Sequence, residues 1–244
     1  MIYPPVCGFC GKLDKNSLCN KCKIRIEKNA LYKIEDYRQT TSFFDEHLYL
    51  FQYIGEIREA ILNFKFNEQS YLWKTFIYFL KNETNDELLS QMIDDKKAKS
   101  KFKNKVRYNS NFLENKKNNK KICIQIKKYD IIMPIPISKK RMKQRGYNQS
   151  AVIASNLAKT FNMDCKNNIL VKIKDNPPQS ELGQNERSKN VKDVYKLKNE
   201  KHIFQKKILL IDDIFTTGST ANECARLLKE NFARKVGIFT IAKD

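Results

Sequence analysis

Asp212 and Asp213 close the apolar run Lys207-Ile208-Leu209-Leu210-Ile211, and Thr216, Thr217, Gly218, Ser219 and Thr220 follow almost at once. These residue types divide the chemistry between them. Hydroxyls, and the N–H groups at a helix start, donate hydrogen bonds to an anion, and the helix dipole adds attraction. Carboxylates accept from sugar hydroxyls or hold a divalent cation. Gly218 lets the backbone come close to a ligand. One end of the segment therefore suits a phosphate and the other a diol, and a sugar phosphate satisfies both. Plain helix capping needs only one Ser or Thr, and the Gly-Lys-Ser/Thr of a Walker loop is missing. The strand is expected to end at Ile211. Successive strand residues face opposite ways, so the two acids can share a ligand only if the chain turns there.

A second candidate is the basic loop Ser138-Lys139-Lys140-Arg141-Met142-Lys143-Gln144-Arg145-Gly146-Tyr147-Asn148-Gln149. Arg141 and Arg145 can grip phosphate oxygens with paired N–H groups, and Gly146 permits a sharp turn into a helix starting near Asn148. The bland reading is a solvated basic turn. Its position after Pro134-Ile135-Pro136 favours pyrophosphate binding.

Four of the seven cysteines lie within the first 22 residues, as Cys7-x-x-Cys10 and Cys19-x-x-Cys22. Two disulfides or a redox pair are the alternatives. The doubled spacing and the lack of an export signal favour a structural zinc site, since four thiolates complete a tetrahedral shell and leave no open position. Cys123, Cys165 and Cys224 have no such spacing and read as small buried residues. His47 and His202 fall in no motif, which argues against a histidine-based triad.

The elements that must carry these groups alternate. Strands are expected at 48–53, 130–136, 169–173, 207–211 and 235–242. Helices are expected over 57–64, 72–80, 148–161 and 219–231. Continuously apolar strands between helices predict an α/β fold with a parallel sheet covered on both faces, its ligands lying outside the carboxyl ends of the strands. No stretch has the eighteen or more apolar residues of a membrane span, and no secretory signal is evident, so a soluble cytoplasmic protein is expected. The net charge of +20 points to a polyanionic partner. However, residues 96–128 hold thirteen Lys/Arg and one acid, Glu114, which leaves only +8 for the rest. That Lys/Asn-rich stretch reads as a solvated insertion. A nucleic-acid surface and a plain compositional bias both remain open.

Ile208 to Thr220 resembles the phosphoribosyl-diphosphate (PRPP) signature of type I phosphoribosyltransferases. That likeness implies ribose hydroxyls on Asp212 and Asp213, the 5-phosphate on Thr216, Thr217, Gly218, Ser219 and Thr220, and Mg²⁺ with the bound PRPP. Pro134-Ile135-Pro136, Arg-Gly-Tyr-Asn-Gln, Gln179-Ser180-x-Leu182, Glu186-Arg187-x-x-Asn190-Val191 and the segment Tyr53-x-Gly55 through Phe66 narrow the resemblance to the ComF (competence protein F) family. The paired cysteines fit it too.

The resemblance implies a four-Cys zinc module over 1–29, a hood-like segment over 30–80, an insertion over 81–121 and a PRPP-binding domain over 122–244. It also implies a flexible lid bearing Gln179, Ser180, Arg187 and Asn190. Pyrophosphate would lie on Arg141, Arg145 and Gly146. The implied role is natural transformation, with a PRPP pocket retained and contact with single-stranded DNA and the uptake machinery. The alternative is an active transferase, in which an amine or base nitrogen attacks C1 of PRPP and pyrophosphate leaves.

Overall fold

The runs Ile208-Leu209-Leu210-Ile211 and Val236 to Ala242 are apolar on both sides of the strand, and only a sheet covered on both faces can bury them. The computed structural model describes residues 6–66, 70–81, 106–174 and 194–244. Its strands are β1 (Ala30–Asp36), β2 (Glu46–Gln52), β3 (Ile131–Pro134), β4 (Asp164–Cys165), β5 (Leu170–Lys172), β6 (Tyr195–Leu197), β7 (Lys207–Phe215) and β8 (Lys235–Lys243). Six of them form one sheet in the order β1-β2-β8-β7-β3-β4. All neighbours in it are parallel except β1 and β2.

The helices are α1 (Asn20–Glu27), α2 (Gly55–Phe66), α3 (Trp73–Lys81), α4 (Val106–Ile126), α5 (Lys139–Arg145), α6 (Gln149–Phe161) and α7 (Ser219–Glu230). On one face of the sheet α2, α3, α4 and α6 pack Phe64, Phe76, Ile122, Ile153 and Leu157 against Leu209, Ile211 and Phe239. On the other, α7 and the β5–β6 pair pack Cys224, Leu228, Leu170 and Tyr195 against Ile208, Leu210 and Ile238. The expected α/β architecture is therefore present, with a mostly parallel six-stranded sheet.

Four expectations need correction. First, β5 is not in the main sheet but pairs antiparallel with β6; Lys172 and Lys174 leave too little apolar surface there for a doubly covered position. Second, the basic loop is largely helical. Ser138 caps α5 by accepting from the N–H of Arg141 at 3.2 Å, and Gly146 ends it in the left-handed region at φ 73°. Third, the stretch read as solvated contributes much of α4, in which Asn119, Ile122, Cys123 and Ile126 are buried. Asn115 donates to the carbonyl of Glu27 at 2.8 Å, and Asn119 to that of Phe79 at 2.5 Å. The final turns of α1 and α3 leave carbonyls unpaired, and these asparagines satisfy them. Fourth, Cys165 is only half-buried, on edge strand β4, unlike the fully buried Cys123 and Cys224.

Candidate functional site

The site arises where two neighbouring strands differ in length. Pro134 and Pro136 stop β3, and the N–H of Ile135 makes its last bond, to the carbonyl of Ile211 at 2.9 Å. β7 runs on to Phe215, pairing with β8 through Asp212–Thr240, Ile214–Ala242 and Phe215–Lys243. The strand thus does not end at Ile211 as expected, because apolar Ile214 and Phe215 continue the ladder with the equally long β8. Toward β3, however, Asp212 to Phe215 is an open edge. Both acids therefore border one crevice of about 190 Å³ without a turn between them. Arg141, Arg145, Thr216 and Thr220 line it too, with Lys65, Gln149, Ser150, Lys172 and Tyr195.

Asp212 accepts from the Ser150 hydroxyl at 2.8 Å and from the N–H of Asp213 at 2.9 Å. Burial first, and the adjacent Asp213 charge second, push its carboxyl up to about 7, while Lys65 and Ser150 pull the other way. Asp213 forms an ion pair with Lys65 Nζ at 3.0 Å. Arg145 is drawn below the usual guanidinium range by burial, and the two acids pull it back.

Thr217, Gly218 and Ser219 lie beside this crevice, in a smaller cavity of about 60 Å³ under the start of α7. Gly218 is the N-cap, at φ 72°, and has no side chain with which to cap the helix, while Thr217 Oγ1 accepts a long bond of 3.4 Å from the N–H of Ser219. Thr217 and Ser219 also join their hydroxyls at 2.9 Å. The amides of the first turn and these hydroxyls form a donor set suited to an anion. A Cβ on Gly218 would stand 2.4 Å from the Phe215 ring, so the ring is a floor for the loop. Phe215 in turn stacks on His47 with centroids 4.1 Å apart. His47 Nε2 meets Thr240 Oγ1 at 2.9 Å, and that hydroxyl donates to the carbonyl of Ala242 at 3.0 Å. Burial lowers His47 to about 3, so it is a neutral prop rather than an acid or base.

The sequence Arg145-Gly146-Tyr147-Asn148-Gln149 ties the crevice to α2. Arg145 lies over the Phe66 ring at 4.8 Å and donates to Gln149 Oε1 at 3.0 Å. Gly146 makes the left-handed turn, its N–H bonding the carbonyl of Met142. Tyr147 donates its hydroxyl to the carbonyl of Phe64. Asn148 donates to the carbonyl of Ile135 at 3.1 Å and caps α6 through Ser150 N–H. Gln149 donates to the carbonyl of Lys65 at 3.4 Å. Gly146 thus forms the turn between the two helices and is not among the lining residues, whereas Arg141 and Arg145 line the crevice. Lys65 and Gln149 lie in segments that carry the family resemblance but were not singled out as site residues; Ser150 and Lys172 carry no local signal, and Tyr195 is a buried aromatic that also lines the crevice. The expected lid residues Gln179, Ser180, Arg187 and Asn190 lie outside the described residues.

The Sγ atoms of Cys7, Cys10, Cys19 and Cys22 all lie within 4.8 Å of one another. Thiolates about 2.3 Å from a tetrahedral ion stand about 3.8 Å apart, and the Cys10–Cys19 pair is at 3.8 Å. Burial works to raise Cys7, yet backbone N–H groups of Cys19, Cys10 and Phe9 bring it down to about 7. Burial and the other three sulfurs push Cys22 far up. Four such sulfurs cannot all ionise unaided, so the group fits a cation and could hold a metal such as zinc. It packs closely on the body: a Cβ on Gly8 would stand 2.4 Å from Thr75 Oγ1. Phe9, Phe76, Phe64 and Tyr147 then form a chain of ring contacts at 6.4, 5.9 and 5.8 Å, ending between Arg145 and Gln149, which line the crevice.

A helix start suited to an anion, paired acids and paired arginines at the edge of a mostly parallel sheet agree with an α/β domain of the phosphoribosyl transferase class. Residues 148–244 match the family model described as a phosphoribosyl transferase domain. The chain is 31% identical over 120 residues to competence protein F of Haemophilus influenzae, covering 49% of this chain and 52% of that one. It is 32% identical over 118 residues to competence protein ComFC of Bacillus subtilis, covering 48% and 46%. It is also 27% identical over 114 residues to DNA utilization protein YhgH of Escherichia coli, covering 47% and 49%. Over this half of its length the chain is similar to the ComF (competence protein F) proteins. The matches span about half the length of these relatives. No described helix is long and apolar enough to cross a membrane.

Proposed function

We propose that the crevice binds PRPP or a related ribose phosphate, and that the protein acts in the cytoplasm on incoming single-stranded DNA during natural transformation. The observation that carries the ligand is the convergence of three complementary groups. These are the glycine-capped helix start at Gly218, the Asp212–Asp213 pair and the Arg141–Arg145 pair. In this reading the amides and hydroxyls of 216–220 hold the 5-phosphate, the acids accept from the ribose hydroxyls, and the arginines neutralise the pyrophosphate. Mg²⁺ bound with the ligand would share that neutralisation. Zinc on Cys7, Cys10, Cys19 and Cys22 would have a structural role. The DNA role is supported by the competence and DNA-utilization relatives and by the basic charge.

Calorimetry with PRPP and Mg²⁺ tests the pocket, on wild type and on the double variant Asp212→Ala/Asp213→Ala. Wild type should bind and the double variant should not; no heat with wild type defeats the proposal. Pyrophosphate release in the presence of ammonia or a panel of bases would establish a working transferase instead of a binding component. For DNA, affinity for an oligothymidylate should fall with salt at a log–log slope of about −0.7 per phosphate contacted.

A further inference from the structure

Lys65 comes from α2, outside the residues that match the phosphoribosyl transferase domain. Its ammonium sits in the crevice with only 18% exposed, 3.0 Å from Asp213 Oδ1, whose side chain is 9% exposed. The chain around it is held by two backbone carbonyls and one ring. The carbonyl of Phe64 accepts from Tyr147, that of Lys65 accepts from Gln149, and the Phe66 ring lies against Arg145. Only the side chain is left to move. Lys65 lines the arginine-bearing crevice but not the cavity under the phosphate loop.

Two consequences follow from electrostatics. While the ammonium holds Asp213, that oxygen is a poorer acceptor for a ribose hydroxyl. Withdrawing a buried ammonium from its counter-ion is costly unless another anion receives it. A 5-phosphate in the loop cavity lies away from Lys65, whereas an anion between Arg141 and Arg145 lies in the same crevice.

We infer that Lys65 is an exchangeable counter-cation: the ligand's pyrophosphate takes Lys65 from Asp213, which frees that carboxylate for the ribose hydroxyls. The crevice then selects ribose phosphates that carry a pyrophosphate at C1 over ribose-5-phosphate alone. This rests on the ribose-phosphate reading of the site. It also makes the two halves of the ligand cooperative, since each improves the site for the other.

The test uses the two halves separately, on the intact protein in EDTA so that no divalent cation bridges them. Ribose-5-phosphate is titrated by calorimetry with and without saturating inorganic pyrophosphate. Two anions in adjoining cavities should repel and weaken each other. The exchange instead predicts that pyrophosphate strengthens ribose-5-phosphate binding about tenfold, within the usual range of coupling between sites. In Lys65→Gln that strengthening should vanish. An unchanged or weakened affinity in wild type overturns the inference, as does coupling that survives in Lys65→Gln. Wild type that binds neither PRPP nor ribose-5-phosphate would overturn the ribose-phosphate reading itself, and the exchange with it.

Discussion

Gly218→Ala places a methyl group where the structure has no room for one. Alanine in the left-handed region costs roughly 1–2 kcal/mol, and Gly218 sits there at φ 72°. The new Cβ would stand 2.4 Å from Phe215 Cζ and 3.0 Å from Cε2. The ring cannot easily retreat, because it stacks on His47 at 4.1 Å and meets Phe44 edge-on at 5.9 Å. Overpacking of this kind costs roughly 1–3 kcal/mol. The sum is roughly 2–5 kcal/mol, a fall in melting temperature on the order of 4–20 °C for a chain of this size. Gly146→Ala is the control. Gly146 has φ 73°, but nothing lies within 4 Å of its added Cβ, so only the backbone cost applies. Chemical denaturation should therefore show Gly218→Ala to be the less stable variant by the size of the clash. The loop must shift to relieve that clash, so PRPP affinity measured by calorimetry should drop tenfold or more. Phe215→Leu should recover part of both losses. Equal stabilities for the two alanine variants, with unchanged PRPP binding, would refute Phe215 as a fixed floor beneath the loop.

Three further outcomes are expected. Asp212 is raised in the folded protein to about 7 by burial and Asp213, against about 3.9 unfolded. Its stabilising protonation is complete below about pH 4 and is lost as pH rises through about 7, so the ligand-free protein should weaken across that interval. Asp212→Asn should flatten the trend in denaturant melts taken at successive pH values. Elemental analysis should find one zinc per chain, and Cys7→Ser or a strong chelator should lower the melting temperature; a protein indifferent to both would show the four sulfurs to be inert. Asn119→Ala strands the buried carbonyl of Phe79 and should cost about 1–3 kcal/mol. Lys120→Ala, one residue along on the exposed side, should change stability by less than about 0.5 kcal/mol.

Much of the fold was legible because it is written in local periods. Strands near 207–211 and 235–242 announce themselves by continuous apolar runs. The helix from Gln149 shows Ile153 and Leu157 on one face, and Asn148 is its capping residue. The loop 216–220 and the paired cysteines are contiguous motifs whose chemistry can be read from residue type. Asparagine misled: in α4 its polarity suggested solvation, although Asn115 and Asn119 complete the open carbonyls of other helices.

The amino-acid order by itself determined which groups were available: two adjacent acids, a run of hydroxyls around a glycine, two arginines and four thiols. Each set lies close together in the chain, so neighbours along the backbone suffice to reveal it. Only the tertiary structure decided that the acids and arginines share a crevice and that the hydroxyl loop forms a cavity beside it. That outcome depends on β3 stopping at Pro134 while β7 runs on beside β8. Lys65, the His47–Phe215 prop and the ring contacts from Phe9 to Tyr147 likewise join residues distant in the chain. Such pairings are set by how long elements pack and where their ladders run out of partners, and no local pattern of hydrophobicity or charge encodes them.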